Sequence, residues 1–98
     1  MNFQVNQSLL IRICNKYNAE YLGVFGSVVR DDDNPKSDID MLVRFAPDAK
    51  TGLLELSAMR DDLQQITGRK IDLLTEGFLS RYFKKDVLAE VKPLYVKA

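Results

Sequence analysis

The chain has 98 residues, enough for one domain and too few for two independent cores. Fourteen Lys and Arg balance fourteen Asp and Glu, and 46% of residues are apolar, so the chain is globular and lacks the basic surplus of a general nucleic-acid binder. It has no histidine and only one cysteine, Cys14, which excludes histidine bases and ligands, Ser-His-Asp or Cys-His pairs, disulfide frameworks and zinc ribbons, and leaves chemistry to carboxylates, hydroxyls, Lys, Arg and backbone.

The pattern over Val5 to Tyr17 predicts a helix, with Val5, Leu9, Leu10, Ile13, Cys14 and Tyr17 on one face and Asn6 or Ser8 as cap. Cys14 falls in that stripe and reads as a small core residue. Tyr21-Leu22-Gly23-Val24-Phe25 predicts a strand, stopped at Gly26-Ser27, with a short helical turn from Ser27 to Arg30. Asp31 to Ser37, with Pro35 inside it, predicts a loop. Asp38 to Phe45 predicts the second strand, closed by Pro47 and Asp48. Thr51 is the expected cap of a helix over Gly52–Thr67, with Leu53, Leu56, Met59, Leu63 and Ile66 as its buried stripe and Gly68 as its terminator. Lys70 to Thr75 predicts a third strand and Phe78 to Val91 a last helix ending before Pro93. Leu94-Tyr95-Val96 is a candidate edge strand.

This order predicts an α/β (α+β) fold: a small mixed sheet of three to four strands with helices packed against it. A linker of about a dozen residues favours an antiparallel first pair, and a full helix favours a parallel second pair. No apolar run reaches the roughly 18 residues of a membrane span. Met1-Asn2-Phe3-Gln4 lacks the basic start and apolar stretch of a signal peptide, so no membrane association and a cytoplasmic location are expected.

Asp38 and Asp40 lie two apart on a strand, hence on one face, and like charges so close repel unless neutralised. A hard divalent cation, Mg²⁺ or Mn²⁺, would neutralise them. Asp72 sits on the neighbouring strand and could add a third carboxylate, enough for one metal firmly and for two beside a polyphosphate. Taken singly, Asp-x-Asp also reads as a solvated strand end, Asp72 as an exposed strand residue and Gly26-Ser27 as an ordinary turn. Together they outline a nucleotide–metal site, because a glycine after a strand lets backbone approach a ligand and the following N–H groups suit a phosphate.

The stretch Gly26-Ser27, ten residues, Asp38-Ile39-Asp40, with Ser37 before it and Asp72 within Lys70-Ile71-Asp72-Leu73-Leu74, resembles the signature of the polymerase-beta-like nucleotidyltransferase superfamily. The element order and the ending Glu90-Val91-Lys92-Pro93-Leu94-Tyr95 resemble the minimal nucleotidyltransferases, which include the MntA-type antitoxins paired with HEPN-domain toxins. The resemblance implies one minimal nucleotidyltransferase domain over 1–98. It also implies ATP as substrate, with phosphates over Gly26 and Ser27 and against Arg30, and Mg²⁺ (or Mn²⁺) on Asp38, Asp40 and Asp72. Asp72 would help deprotonate the acceptor hydroxyl. The implied reaction is adenylylation of a tyrosine on a cognate HEPN RNase toxin, with a hetero-oligomer as the implied assembly and without direct nucleic-acid binding. The sequence departs from the family after Arg30, where a glycine is usual and Asp31-Asp32-Asp33 stands here.

A second expectation is a non-catalytic antitoxin that blocks its partner by occupancy, which the acidic run favours; transfer to a small hydroxylated molecule is a third. On the last helix, Leu79, Phe83 and Val87 form one stripe and Phe78 and Tyr82 another. The second stripe would face either a partner or the folded-back C-terminal segment.

Overall fold

Helix α1 (Gln7–Lys16) starts at Asn6, whose side-chain oxygen accepts the Leu9 N–H at 3.0 Å. The computed structural model describes residues 4–30 and 38–97, so the expected loop with Asp31–Asp33, Pro35 and Ser37 lies outside the described residues. Strands β1 (Ala19–Phe25), β2 (Ile39–Phe45), β3 (Ile71–Leu74) and β4 (Lys92–Val96) form one sheet in the order β3-β2-β1-β4. β1 runs antiparallel to both β2 and β4, and β2 pairs with β3 in parallel, as the linker lengths predict. The C-terminal segment is the edge strand β4 on β1.

Period-two alternation sorts the sheet residues. Ile39, Met41, Val43, Ile71 and Leu73 join Leu10, Ile13 and Cys14 of α1 and Met59 and Leu63 of helix α2 (Leu53–Thr67) in the main core. Burial pushes the Cys14 thiol up to about 11, which keeps it a packed apolar group. On the opposite face Leu42 and Phe25 meet Val87 of helix α3 (Arg81–Glu90) in a smaller cluster flanked by Leu74, Leu79 and Val91. Residues 40 and 72 belong to this second, thinly covered face, and that placement is what makes a site possible.

Three local expectations are corrected. Gly52, not Thr51, precedes the first turn of α2, because the Glu55 carboxylate reaches back to accept the Gly52 N–H at 2.8 Å. Leu53 is 67% exposed, since the first turn of α2 lines an open cleft of about 260 Å³ with Phe45, Thr51, Gly52, Leu56, Thr75 and Phe78. The last helix divides: Glu76–Phe78 is a separate short turn, and α3 begins after Ser80, whose hydroxyl accepts the Tyr82 N–H. At the other end of α2 the expectation holds. Gly68 adopts φ +68° and closes the helix with its N–H on Gln64 O.

α1 and α2 are tied by one polar cluster. The Asp62 carboxylate accepts the Tyr17 hydroxyl at 2.7 Å and the Lys16 ammonium at 3.0 Å, and these bonds hold its pKa below the ordinary 3.8. Tyr17→Phe is expected to lower stability by about 0.5–1.5 kcal/mol, read by urea unfolding at pH 7. Because the folded-state pKa of Asp62 is depressed, its contribution is full above pH 3.8 and fades as pH falls through the lower folded value. The gap between wild type and variant should narrow in that acid window.

Candidate active site

The site is built on a row of residues that crosses the sheet. Phe25 of β1 is the register partner of Asp40 on β2, and Asp40 is the register partner of Asp72 on β3. Parallel partners point the same way, so the Asp40 and Asp72 side chains stand side by side on strands about 4.8 Å apart. Asp38 precedes β2 by one residue and alternation returns it to the same side. Asp40 is half-buried, whereas Asp38 and Asp72 are exposed. The pKa of Asp40 is raised, first by burial, then by the charges of Asp72, Asp38 and Glu90, against the opposing effect of Arg30. The three sequence-predicted carboxylates therefore share one face of the sheet at neighbouring positions.

Gly26 ends β1 beside this row and opens the short turn Gly26–Val28. Its φ of +80° is left-handed, and the position its missing Cβ would take is filled by the Asp40 carboxylate. Glycine is required twice over here, by conformation and by the approach of the acid. Ser27 follows, half-buried, and the N–H groups of Val29 and Arg30 close back on Gly26 O at 3.1 and 3.3 Å.

Arg30 arrives at the same place, but with a partner that sequence reasoning missed. Glu90, the last residue of α3, sends Oε1 to the Gly26 N–H at 2.7 Å, and its two oxygens accept from Arg30 Nη1 at 3.3 and 3.2 Å. A clue was present in the sequence: a carboxylate at a helix C-terminus faces the negative end of the dipole and needs a cationic or N–H partner elsewhere.

Among the described residues no three carboxylates are drawn together closely enough to hold a metal as they stand. The donor set nevertheless suits a hard divalent cation, since all-oxygen ligands on one face mutually raise the cost of their charges until a cation neutralises them. The large cleft near Leu53 and Phe78 lies beyond the far ends of β2 and β3, away from this chemistry.

Two aromatic residues expected to differ in exposure are both open. Tyr82 is 76% and Phe83 64% exposed, with Phe78 nearby at 58%. Phe83 therefore leaves the buried stripe assigned to it, because Val87 alone of α3 is buried. β4 lies at the sheet edge and does not cover these rings. No helix among the described residues is long and apolar enough to cross a membrane.

The sequence profile of a nucleotidyltransferase domain family matches residues 8–94. A Methanocaldococcus jannaschii protein, provisionally named protein adenylyltransferase MJ0435, is 31% identical over 90 residues, spanning 92% of this chain and 95% of that protein. Protein adenylyltransferase MntA of Thermococcus cleftensis is 33% identical over 76 residues, spanning 78% of this chain and 75% of its own. Among solved structures, a toxin–antitoxin with AMP-PNP contains a chain of the same fold, at TM-score 0.75 and 19% identity over 95% of this chain and 75% of that one.

Proposed function

The chain belongs to the nucleotidyltransferase domain family and is a nucleotidyltransferase, and from that premise we propose that it is an antitoxin that uses ATP and Mg²⁺ to adenylylate a tyrosine of a HEPN-type toxin. The observation that carries this reading is the row Asp40–Asp72, flanked by Asp38 and pressed against Gly26. Such a row has a use where a cation and a polyphosphate meet.

In this reading residues 1–98 act as one minimal domain. Asp38, Asp40 and Asp72 hold the metal. When bound, the cation neutralises phosphate charge and lowers the pKa of the acceptor hydroxyl. Gly26 and Ser27 give N–H and hydroxyl donors to the terminal phosphates, and Arg30 adds charge-assisted bonds that favour the departing pyrophosphate. Asp72, exposed on the edge strand β3, takes the proton of the incoming tyrosine hydroxyl. The acceptor comes on a docked protein, whose face on this chain is the apolar surface of Phe78, Tyr82 and Phe83. The Thermococcus cleftensis relative is named as a protein adenylyltransferase, and the toxin–antitoxin neighbour holds AMP-PNP, which supports both the donor and the kind of partner.

Blocking by occupancy remains the competing reading, favoured by the separation of the three carboxylates and by the size of the exposed aromatic surface. Calorimetry tests the donor side. ATP is expected to bind in the presence of Mg²⁺ and at least about tenfold more weakly in EDTA, because the phosphates must complete the coordination of the metal. Absence of Mg²⁺-dependent ATP binding would overturn the enzymatic reading.

A further inference from the structure

Two of the groups assigned above to nucleotide phosphates already hold an anion. The Gly26 N–H and the Arg30 guanidinium both donate to the Glu90 carboxylate, at 2.7 Å and at 3.2–3.3 Å. Glu90 also stands close enough to Asp40 to raise its pKa, so the same carboxylate is a fourth negative charge at the rim of the site. It sits where a helix disfavours an acid, at the last residue of α3. Its backbone is anchored from both sides: Val87 packs on Phe25 and Leu42, and β4 follows at Lys92. A carboxylate so fixed, offering two oxygens to a backbone N–H and a guanidinium, makes the bonds a phosphate oxygen would make.

We propose that Glu90 is a positioning residue for the nucleotide: an internal anion that holds the Gly26 turn and Arg30 in place and yields them to the incoming triphosphate. The inference rests on the nucleotide reading above and adds to it. In the free protein Glu90 orders the turn. On binding, phosphate oxygens take over the Gly26 N–H and Arg30, and the displaced carboxylate turns to solvent. Glu90 thus sets the affinity for nucleotide by competition, and α3 gains a direct connection to the site through its last residue. No bond is made or broken in this exchange beyond hydrogen bonds and ion pairs.

The deciding variant is Glu90→Gln, which keeps an oxygen for the Gly26 N–H but removes the charge from Arg30. Calorimetric titration with ATP in EDTA, and again with Mg²⁺, should give tighter binding than wild type by about tenfold in EDTA, since one like charge near a tetra-anion is gone. A residue that merely braced the turn would give the opposite sign, so equal or weaker binding by a folded Glu90→Gln overturns the proposal while leaving the nucleotide site intact. Binding of ATP by neither protein under either condition overturns the nucleotide reading itself, and Glu90's role with it. Should Glu90→Gln fail to fold by thermal melting, the wild type decides. Carbon-detected NMR must then show the Glu90 carboxyl resonance and the Gly26 amide both moving on addition of ATP with Mg²⁺; a moving Gly26 amide with an unmoved Glu90 carboxyl overturns the exchange.

Discussion

Asp40→Asn is expected to lower AMP transfer by about a thousandfold or more while raising the melting temperature of the metal-free protein. The two effects have one cause. Asp40 is half-buried in the row Phe25–Asp40–Asp72, and its raised pKa records that the folded chain disfavours its ionised form. The sign follows: a carboxylate with folded pKa above its unfolded value costs stability once ionised, so removing its charge at pH 7 stabilises. Asparagine is nearly isosteric, so packing against Gly26 and Phe25 is retained. Added Mg²⁺ and ATP should reverse the order of the two melting temperatures, because only the wild type gains a neutralising cation. Asp38→Asn and Asp72→Asn should also lose transfer, with smaller changes in melting temperature, since both residues are exposed. A lower melting temperature for metal-free Asp40→Asn would make the residue structural.

The elements that position this site were legible because each rests on a short-range rule. Asp-x-Asp on a strand shares a face by alternation, and the helix between β2 and β3 forces the parallel pairing that sets Asp72 beside Asp40. Gly26 was legible as a close approach, though only the fold shows that its neighbour is the Asp40 carboxylate. Glu90 was not legible as part of the site. Its partners, Gly26 and Arg30, lie 64 and 60 residues away in sequence, and they meet it only because α3 crosses the second face and ends at β1. Leu53 and Phe83 went wrong for a related reason: periodicity says which residues share a helix face but not where the sheet beneath that face ends. The sheet has four short strands, so the first turns of α2 and α3 keep their apolar residues exposed.

The exposure of those first turns leads to the second large effect, which separates docking from chemistry. Tyr82 occupies the first turn of α3 and Glu90 its end, so about 12 Å of helix rise divides the aromatic surface from the proposed nucleotide site. Tyr82→Glu should weaken the complex with the toxin about thirtyfold or more, because an unpaired carboxylate would be buried at the centre of the interface. The free protein should melt as the wild type does, since the ring is 76% exposed and is met by the exposed Arg81 guanidinium, 5.5 Å from its centroid. ATP binding should also be unaltered. Asp40→Asn is the complementary variant, because it leaves the exposed aromatic surface whole and removes a carboxylate of the proposed metal site. It should bind the toxin at wild-type affinity, add no AMP to it by mass spectrometry, and fail to restore growth in cells that express the toxin. Growth restored to wild-type level by Asp40→Asn would mean that occupancy alone silences the toxin. An AMP-free toxin complex without rescue would instead assign neutralisation to the transfer, with docking at Tyr82 and Phe83 serving to bring the tyrosine hydroxyl to Asp72.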